Sequence, residues 1–344
     1  MKKNKDSIIL GIESSCDDTS AAVLINGKIH SNVVANQEVH TNYGGVVPEL
    51  ASRAHQQNIV PVVDQAIKQA NISTNELSAI AFTKGPGLLG SLLVGTSFAK
   101  SMSLGLNIPI IDVHHMKAHI HAHFIQTYNE NEKSVPEFPF ICLTVSGGHT
   151  QIVLIKNYLD MTVIGETIDD AAGEAFDKAA KLLGFEYPGG PLIDRHAKKG
   201  DHSKYKFTYP KVEGLNYSFS GLKTQFLYFL EKNKKEDAQF IDKNLADICS
   251  SYQDHIISYL FKNVKKAMDK TGCKDLAIAG GVAANSALRK HLQNLGKQEQ
   301  YNTFIPAFEY CTDNAAMIAM SGYFLYQEGQ FASQDISPKA RITF

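Results

Sequence analysis

The chain has 344 residues, 44% hydrophobic and 20% charged with no tryptophan, which is enough for two domain-sized cores and excludes a tail or linker protein. Its 34 basic and 35 acidic side chains leave a net charge of -1, so any nucleic-acid contact must come from a local basic patch rather than a global field. Five cysteines, an odd number without a CxxC pair, exclude a disulfide framework and suit a reducing, cytoplasmic setting.

In chain order, the first apolar run, Ile8 to Ile12, is closed by Glu13; it is too short for a signal core or a membrane span and predicts a β-strand. "IILGIESSCDDTSAAVLINGKIHSNVV" then reads strand, polar turn, strand, Asn-Gly turn, strand. The same grammar returns in "FICLTVSGGHTQIVLIKNYLDMTVIGE", so the chain is read as two related α/β halves facing each other across a cleft. Between them, "VPELASRAHQQNIVPVVDQAIKQA" has helical periodicity with a kink expected at Pro61. A buried strand, a Gly-Pro-Gly turn and an apolar helix follow, with Gly90, Ser91 and Gly95 permitting close packing. "IPIIDV" is a parallel-type strand that delivers a histidine-rich helix from its C-terminal end, where ligands sit in open α/β sheets. After the second meander come the helix "DDAAGEAFDKAAKLLG", the turn "YPGGP", and a Lys-rich stretch near 198–235 that reads as a surface insertion. A long helical section to Thr271, the strand "DLAIAG", the turn "GGVAAN", a helix, the strand "YNTFIP" and a final helix near "CTDNAAMIAM" complete the chain. The boundary is placed between 113 and 114, with the C-terminal helix packing back on the first subdomain.

"HHMKAHIHAH" puts five histidines in one helix-sized stretch. His115 and His119, at i and i+4, share a helical face and can share a cation. A helix-borne zinc protease needs a glutamate directly after the first histidine; Met116 stands there, and Ile120 follows His119, so the general base is missing in both registers. His114, His121 and His123 are read as a packed or solvated face. The turns Thr144 to Thr150, Tyr187 to Pro191 and Ala279 to Asn285 place glycines where backbone N–H groups approach an anion closely; together they favour a nucleotide cleft, and none matches Walker A or GxGxxG. Among the acids, Asp17 and Asp18 sit in the first meander's turn, where they could hold a cation or orient a water. Asp177 and Asp194 are placed to meet ribose hydroxyls. Asp313 precedes the last helix, where an N-terminal charge is its ordinary role.

The ordered motifs "GIESSCDDTSAAV", "GGVVPELASRAH", "TKGPGLLGSLLVG", "HHMKAH", "VSGGHTQ", "DDAAGEAFDKAAKLLG", "YPGGP", "YSFSGLKT", "GGVAAN" and "CTDNAAMIA", from Gly11 to Ala319, resemble the tRNA N6-adenosine threonylcarbamoyltransferase family, formerly labelled O-sialoglycoprotein endopeptidase, in its bacterial branch. The resemblance implies a duplicated actin/hexokinase-like fold with two subdomains around a central nucleotide cleft. It implies transfer of the threonylcarbamoyl group of threonylcarbamoyl-AMP to N6 of adenosine 37, in tRNAs reading codons that begin with A, with release of AMP. By motif, the metal ligands are His115, His119 and Asp313, holding one divalent ion per subunit, Fe2+ or alternatively Zn2+. The adenylate ligand, threonylcarbamoyl-AMP or ATP/ADP, is expected at Thr144, Val145, Ser146, Gly147, Gly148, Asp177, Gly190, Asp194 and Asn285, with Asp17 and Asp18 as catalytic or phosphate-loop candidates. The implied partners are tRNA, a paralogous actin-like subunit on the N-terminal half and a small P-loop ATPase, with no membrane.

The bacterial motif commonly reads HMEGH, whereas Lys117 and Ala118 stand in its variable places here; both ligand positions survive, and the charge reversal bears on tRNA or partner contact. Lys198, Lys199, Lys204, Lys206 and Lys223 are candidates for a tRNA track. The competing readings are a metalloprotease, which lacks its base, a kinase or ATPase of the same fold class, and a degenerate scaffold, which would have lost some of these residues.

Overall fold

Both three-strand patterns are β-meanders in the computed structural model, which describes residues 6–37, 40, 43–129 and 133–344. The first is β1 (Ile8–Glu13), β2 (Thr19–Ile25) and β3 (Lys28–Ala35); the second is β7 (Phe140–Val145), β8 (Thr150–Ile155) and β9 (Met161–Glu166). Between them lie β4 (Ala79–Gly85), β5 (Ile110–His114) and the short β6 (Gln126–Thr127); β10 (Asp275–Ala279) and β11 (Asn302–Phe304) come later. One sheet has the order β5-β4-β1-β2-β3-β6 and the other β11-β10-β7-β8-β9. Apart from β6, the second order repeats the first, and in both the inner neighbours β4 and β10 run parallel to β1 and β7. The duplication expected from turn spacing is thus a duplication of topology. All six residues of β1 are buried, which suits a central strand covered on both faces. Ile9, Leu10 and Ile12 are fully buried, each contributing about 1.5–3 kcal/mol of apolar transfer.

The chain divides into two compact units, Met1–His40 with Val46–Val135 and Pro306–Phe344, and Thr41–Gly45 with Pro136–Ile305. The boundary expected after residue 113 instead falls after residue 135. The physical reason is packing within the first unit: α3 (His115–His121) is capped by the end of β5 and packs against α9 (Ala315–Gln327), which also covers β1, β2 and β4. The C-terminal helix therefore belongs to the first unit's core.

α1 (Pro48–Gln69) begins with proline at its first turn, where the missing N–H costs nothing. Pro61 lies inside this helix on its exposed side, and the 22-residue helix runs through it rather than ending there. α2 (Leu89–Leu106) packs against α1. A Cβ at Gly90 would strike the Ser52 hydroxyl of α1 and one at Gly95 the Ser14 hydroxyl, so these small residues serve internal packing.

In the second unit, α4 (Ala172–Leu182), α5 (Gly189–Ala197), α6 (Ser220–Glu236), α7 (Phe240–Thr271) and α8 (Ser286–Glu299) complete the structure. The Lys-rich stretch is only in part a surface insertion. α6 turns Leu222, Phe226 and Leu230 inward, and the preceding segment packs Tyr205 and Phe207 against Phe229, with Tyr209 stacked on His255 of α7. Among the described residues no helix is long and apolar enough to cross a membrane, and all five cysteines are free thiols.

Candidate active site

In the first unit the short helix α3 leaves β5 at His114, and its i, i+4 pair projects to the loop before α9. His115 Nε2 and His119 Nε2 each lie 3.3 Å from Asp313 Oδ1. These three residues offer ligand atoms within 4.8 Å of one another. Asp313 does not cap α9; Asn314 does, its Oδ1 accepting from the Met317 N–H. That division of labour leaves the Asp313 carboxylate free to face the imidazoles. His119 is buried, and among the described residues neither of its ring nitrogens makes a well-aligned hydrogen bond, the Asp313 carboxylate at 3.3 Å being a charge contact. An orphaned buried imidazole costs free energy that a bound cation would recover.

His115 is oriented from behind. Its Nδ1 lies 3.1 Å from Glu13 Oε2, and Glu13 is completely buried at the end of β1. Thr83 Oγ1 donates to the same oxygen at 2.6 Å, and the Ser15 N–H donates to Oε1. A carboxylate at Nδ1 favours the tautomer protonated there, which leaves the Nε2 lone pair toward Asp313, the familiar support of a metal-bound histidine. Burial works against charging His115, but the carboxylates of Asp313 and Glu13 outweigh it and raise the imidazole well above its ordinary range. His119 goes the other way: burial, reinforced by the neighbouring His115, holds it down. Burial works against Asp313 ionising, but His115 and then His119 hold its carboxyl below the usual range.

Asp17 and Asp18 lie in the half-buried corner between β1 and β2. Burial, with the charges of Asp313, Asp17 and Glu13, pushes Asp18 up to about 8. Glutamate and three aspartates thus gather around two imidazoles, Asp18 among them favouring its neutral form. This donor set, two nitrogens and carboxylate oxygens, fits a divalent first-row ion such as iron(II) or zinc.

The corner's backbone is anchored from two helices. The Cys16 carbonyl accepts from His55 Nε2 of α1 at 3.0 Å and from Ser91 Oγ of α2 at 3.0 Å. Because a carbonyl only accepts, His55 carries its proton on Nε2, and its Nδ1 accepts from Thr19 Oγ1 at 2.7 Å. The remaining histidines are packing residues: His121 Nδ1 meets Ser321 Oγ at 2.6 Å, and His123 is buried. Lys117 Nζ sits 5.3 Å from the Phe344 ring centroid.

The second unit gathers the glycine turns. Thr144 and Val145 are buried in β7, and Ser146–His149 form the corner between β7 and β8, with Gly147 and Gly148 exposed. The Ser146 N–H bonds the His149 carbonyl at 2.8 Å, whereas the N–H groups of Gly147 and Gly148 have no partner among the described residues. The corner is approached closely by Gly280, at φ +87°, where a Cβ would lie 2.5 Å from the Val145 carbonyl. It is also approached by Gly173 in the first turn of α4, backed against the Ser146 carbonyl.

Asp177 holds the start of α5: its Oδ1 accepts from Gly189 N at 2.9 Å and Gly190 N at 3.3 Å. Asp194 holds the start of α8, accepting from Ser286 Oγ at 2.8 Å and Ser286 N at 3.3 Å. Asn285 caps that helix through Leu288 N at 2.9 Å and donates from Nδ2 to Gln253 Oε1 at 2.7 Å. The expected residues therefore form a closed ring of contacts: corner, Gly280 turn, Asn285, Asp194, α5, Asp177, α4 and back to the corner. Asp194 also lines a cavity of about 510 Å³ between α5, α7 and α8.

Sequence reasoning missed Glu13, His55, Ser91 and Gln253 as parts of these sites. The signal for Glu13 was present, an acid ending an otherwise apolar buried strand. For His55, Ser91 and Gln253 no local pattern announces the contact.

A family model described as tRNA N6-adenosine threonylcarbamoyltransferase matches residues 28–320. The chain is 60% identical over 336 residues to the protein of that name from Christiangramia forsetii, covering 98% of both chains. It is 57% identical over 337 residues to the one from Riemerella anatipestifer, again 98% of both, and 49% identical over 325 residues to the one from Thermosipho africanus, with 94% of this chain and 95% of that one covered. In fold it is similar to HypF from T. kodakarensis, with a TM-score of 0.62 at 17% identity over 98% of this chain and 50% of that chain. It is also similar to (R)-2-hydroxyglutaryl-CoA dehydratase component A from Acidaminococcus fermentans, with a TM-score of 0.52 at 14% identity, covering 92% and 98%.

Proposed function

The chain belongs to the tRNA N6-adenosine threonylcarbamoyltransferase family, and on that premise we propose that its two side-chain constellations divide one acyl transfer between them. The fold is the duplicated actin/hexokinase-like one. The enzyme is an acyltransferase that forms threonylcarbamoyladenosine in tRNA. The donor is threonylcarbamoyl-AMP, the acceptor N6 of adenosine 37 in tRNAs reading codons that begin with A, and the leaving group AMP. The observation that carries this reading of the sites is the convergence of His115, His119 and Asp313, backed by buried Glu13, in a chain of this family.

His115 Nε2, His119 Nε2 and Asp313 Oδ1 would hold one divalent cation, iron(II) in our reading with zinc as the alternative. Such an ion supplies Lewis acidity toward phosphate or carbamoyl oxygens. Glu13 keeps His115 in the coordinating tautomer and supplies compensating charge. Asp17 and Asp18 offer carboxylates beside this group, held in place by His55 and Ser91.

On the other unit, the unpaired N–H groups of Gly147 and Gly148, beside the N-terminus of α4, suit the donor's phosphate. Asp177 Oδ2 makes no hydrogen bond among the described residues and can accept from a ribose hydroxyl. Both oxygens of Asp194 are engaged by Ser286, so its contribution is to hold the start of α8 against the cavity. ATP or ADP would be held by the same contacts.

tRNA is met in this proposal by exposed lysines. Lys204 is tied to Asp247 at 2.7 Å, and Lys198 lies 3.8 Å from Asp194, whereas Lys199, Lys206 and Lys223 are exposed without ion pairs among the described residues. A paralogous actin-like subunit would cover the apolar residues exposed on α1 and α2, Val60, Leu89, Leu93 and Leu104. Leu93→Glu should abolish its co-purification; retention of the partner would place it elsewhere. A small P-loop ATPase completes the assembly in this reading, working in the cytoplasm.

The test is nucleoside mass spectrometry on unmodified tRNA incubated with the protein, its partners and threonylcarbamoyl-AMP, beside His115→Ala and Asp313→Asn. Product from the unaltered chain that falls by about a thousandfold in both variants supports the metal-site reading. Product that survives in both would remove it.

A further inference from the structure

Asn285 and Gln253 form a hydrogen-bond relay whose polarity is forced. The Leu288 N–H can only donate, so the Asn285 atom that receives it is Oδ1. Asn285 Nδ2 is then a donor, and the Gln253 atom it meets at 2.7 Å must be Oε1. The remaining end of Gln253 is consequently its Nε2, a group with two N–H donors and no hydrogen-bond partner among the described residues. Gln253 is 5% exposed, so the side chain is held within the helix packing. What it lines is the cavity of about 510 Å³ that Asp194 and Ser286 border. The cavity's apolar side is made by Ala197 of α5, Ile257 of α7 and Ala287 of α8, side chains small or flat enough to receive an aromatic ring. Its volume is in the range of small-ligand sites.

A nine-tenths-buried amide that ends on a ligand-sized cavity has a donor to satisfy, and the apolar wall beside it suits the face of a heteroaromatic ring, while Lys198 and Lys290 on the same cavity suit the anionic part of a nucleotide. We infer that Gln253 is a specificity-determining residue that donates from Nε2 to N1 of the adenine of the bound nucleotide. The inference rests on the adenylate reading above and adds how the adenine is read. A donor fixed by α8 through Asn285 cannot rotate to become an acceptor without breaking the cap bond. It therefore accepts adenine, whose N1 is a lone pair, and rejects guanine or hypoxanthine, whose N1 carries a proton.

Isothermal titration of AMP, GMP and IMP into the full chain tests this; calorimetry is suitable because the chain has no tryptophan to report binding. Gln253→Glu keeps an acceptor for Asn285 Nδ2 and replaces the Nε2 donor by an oxygen. It should lose about tenfold or more in AMP affinity and bind IMP and GMP relatively better. Gln253→Met removes the donor without introducing a charge, and should weaken AMP without favouring the other two nucleotides. AMP affinity and the AMP-to-GMP ratio unchanged in both variants overturn the inference while leaving the adenylate reading standing. Failure of the unaltered chain to bind AMP overturns the adenylate reading itself, and this inference with it.

Discussion

The corner between β1 and β2 and the corner between β7 and β8 occupy the same place in two topologically equivalent sheets, yet they are built for opposite charges. The first carries Glu13, Asp17 and Asp18, and its backbone is gripped by α1 and α2 through His55 and Ser91. The second carries Ser146, Gly147 and Gly148, with exposed glycine N–H groups at the start of α4. One presents carboxylates and imidazoles, the other backbone dipoles. In the proposed function a duplicated fold thus supplies two equivalent ligand positions, and the side chains at the corner decide whether each suits a cation or an anion.

The most forceful way to break this contrast is to discharge the first corner. Glu13→Gln keeps the size and hydrogen-bonding reach at His115 but removes the charge that fixes its tautomer. Metal affinity, measured by chelator competition, should fall about 10–100-fold. AMP affinity, which the proposed function assigns to the second unit, should not move. If both change together, the division of labour is wrong.

A smaller effect is expected where the second unit is proposed to meet tRNA. Replacing Lys199, Lys206 and Lys223 by alanine should flatten the dependence of log affinity for tRNA on log salt by about 2, whereas Lys204→Ala, already paired with Asp247, should leave it unaltered. An unchanged salt slope in the triple variant would move the tRNA track elsewhere.

The smallest expected effect concerns how each unit tolerates acid. In the second unit burial holds His255 down to about 4, against an ordinary value of 6.5. The folded state prefers the neutral ring, so its contribution is full above about 6.5 and is lost as pH falls from there through about 4. His255→Phe should remove that part of the acid sensitivity while retaining the stack on Tyr209. Thermal melts between pH 7 and 4 that run parallel for both proteins would show that His255 is not its source.

Much of this was legible in the chain itself. The alternation of apolar runs with polar turns predicts both meanders, because a strand's side-chain period and a turn's backbone demands are local. The i, i+4 spacing of His115 and His119 places both on one face for the same reason, and the missing glutamate excludes protease chemistry without any structure. Local spacing does not reveal that Asp313 faces those histidines while Asn314 takes the cap. Nor does it reveal that Glu13 supports His115 from 102 positions away, or that Asp194 is consumed by Ser286. Each of these depends on contacts between segments far apart in the chain. The sequence by itself determined the elements and the ligand types, since these follow from short-range periodicity and chemistry; only the tertiary structure decided which donors meet, because packing of distant helices and strands sets those distances.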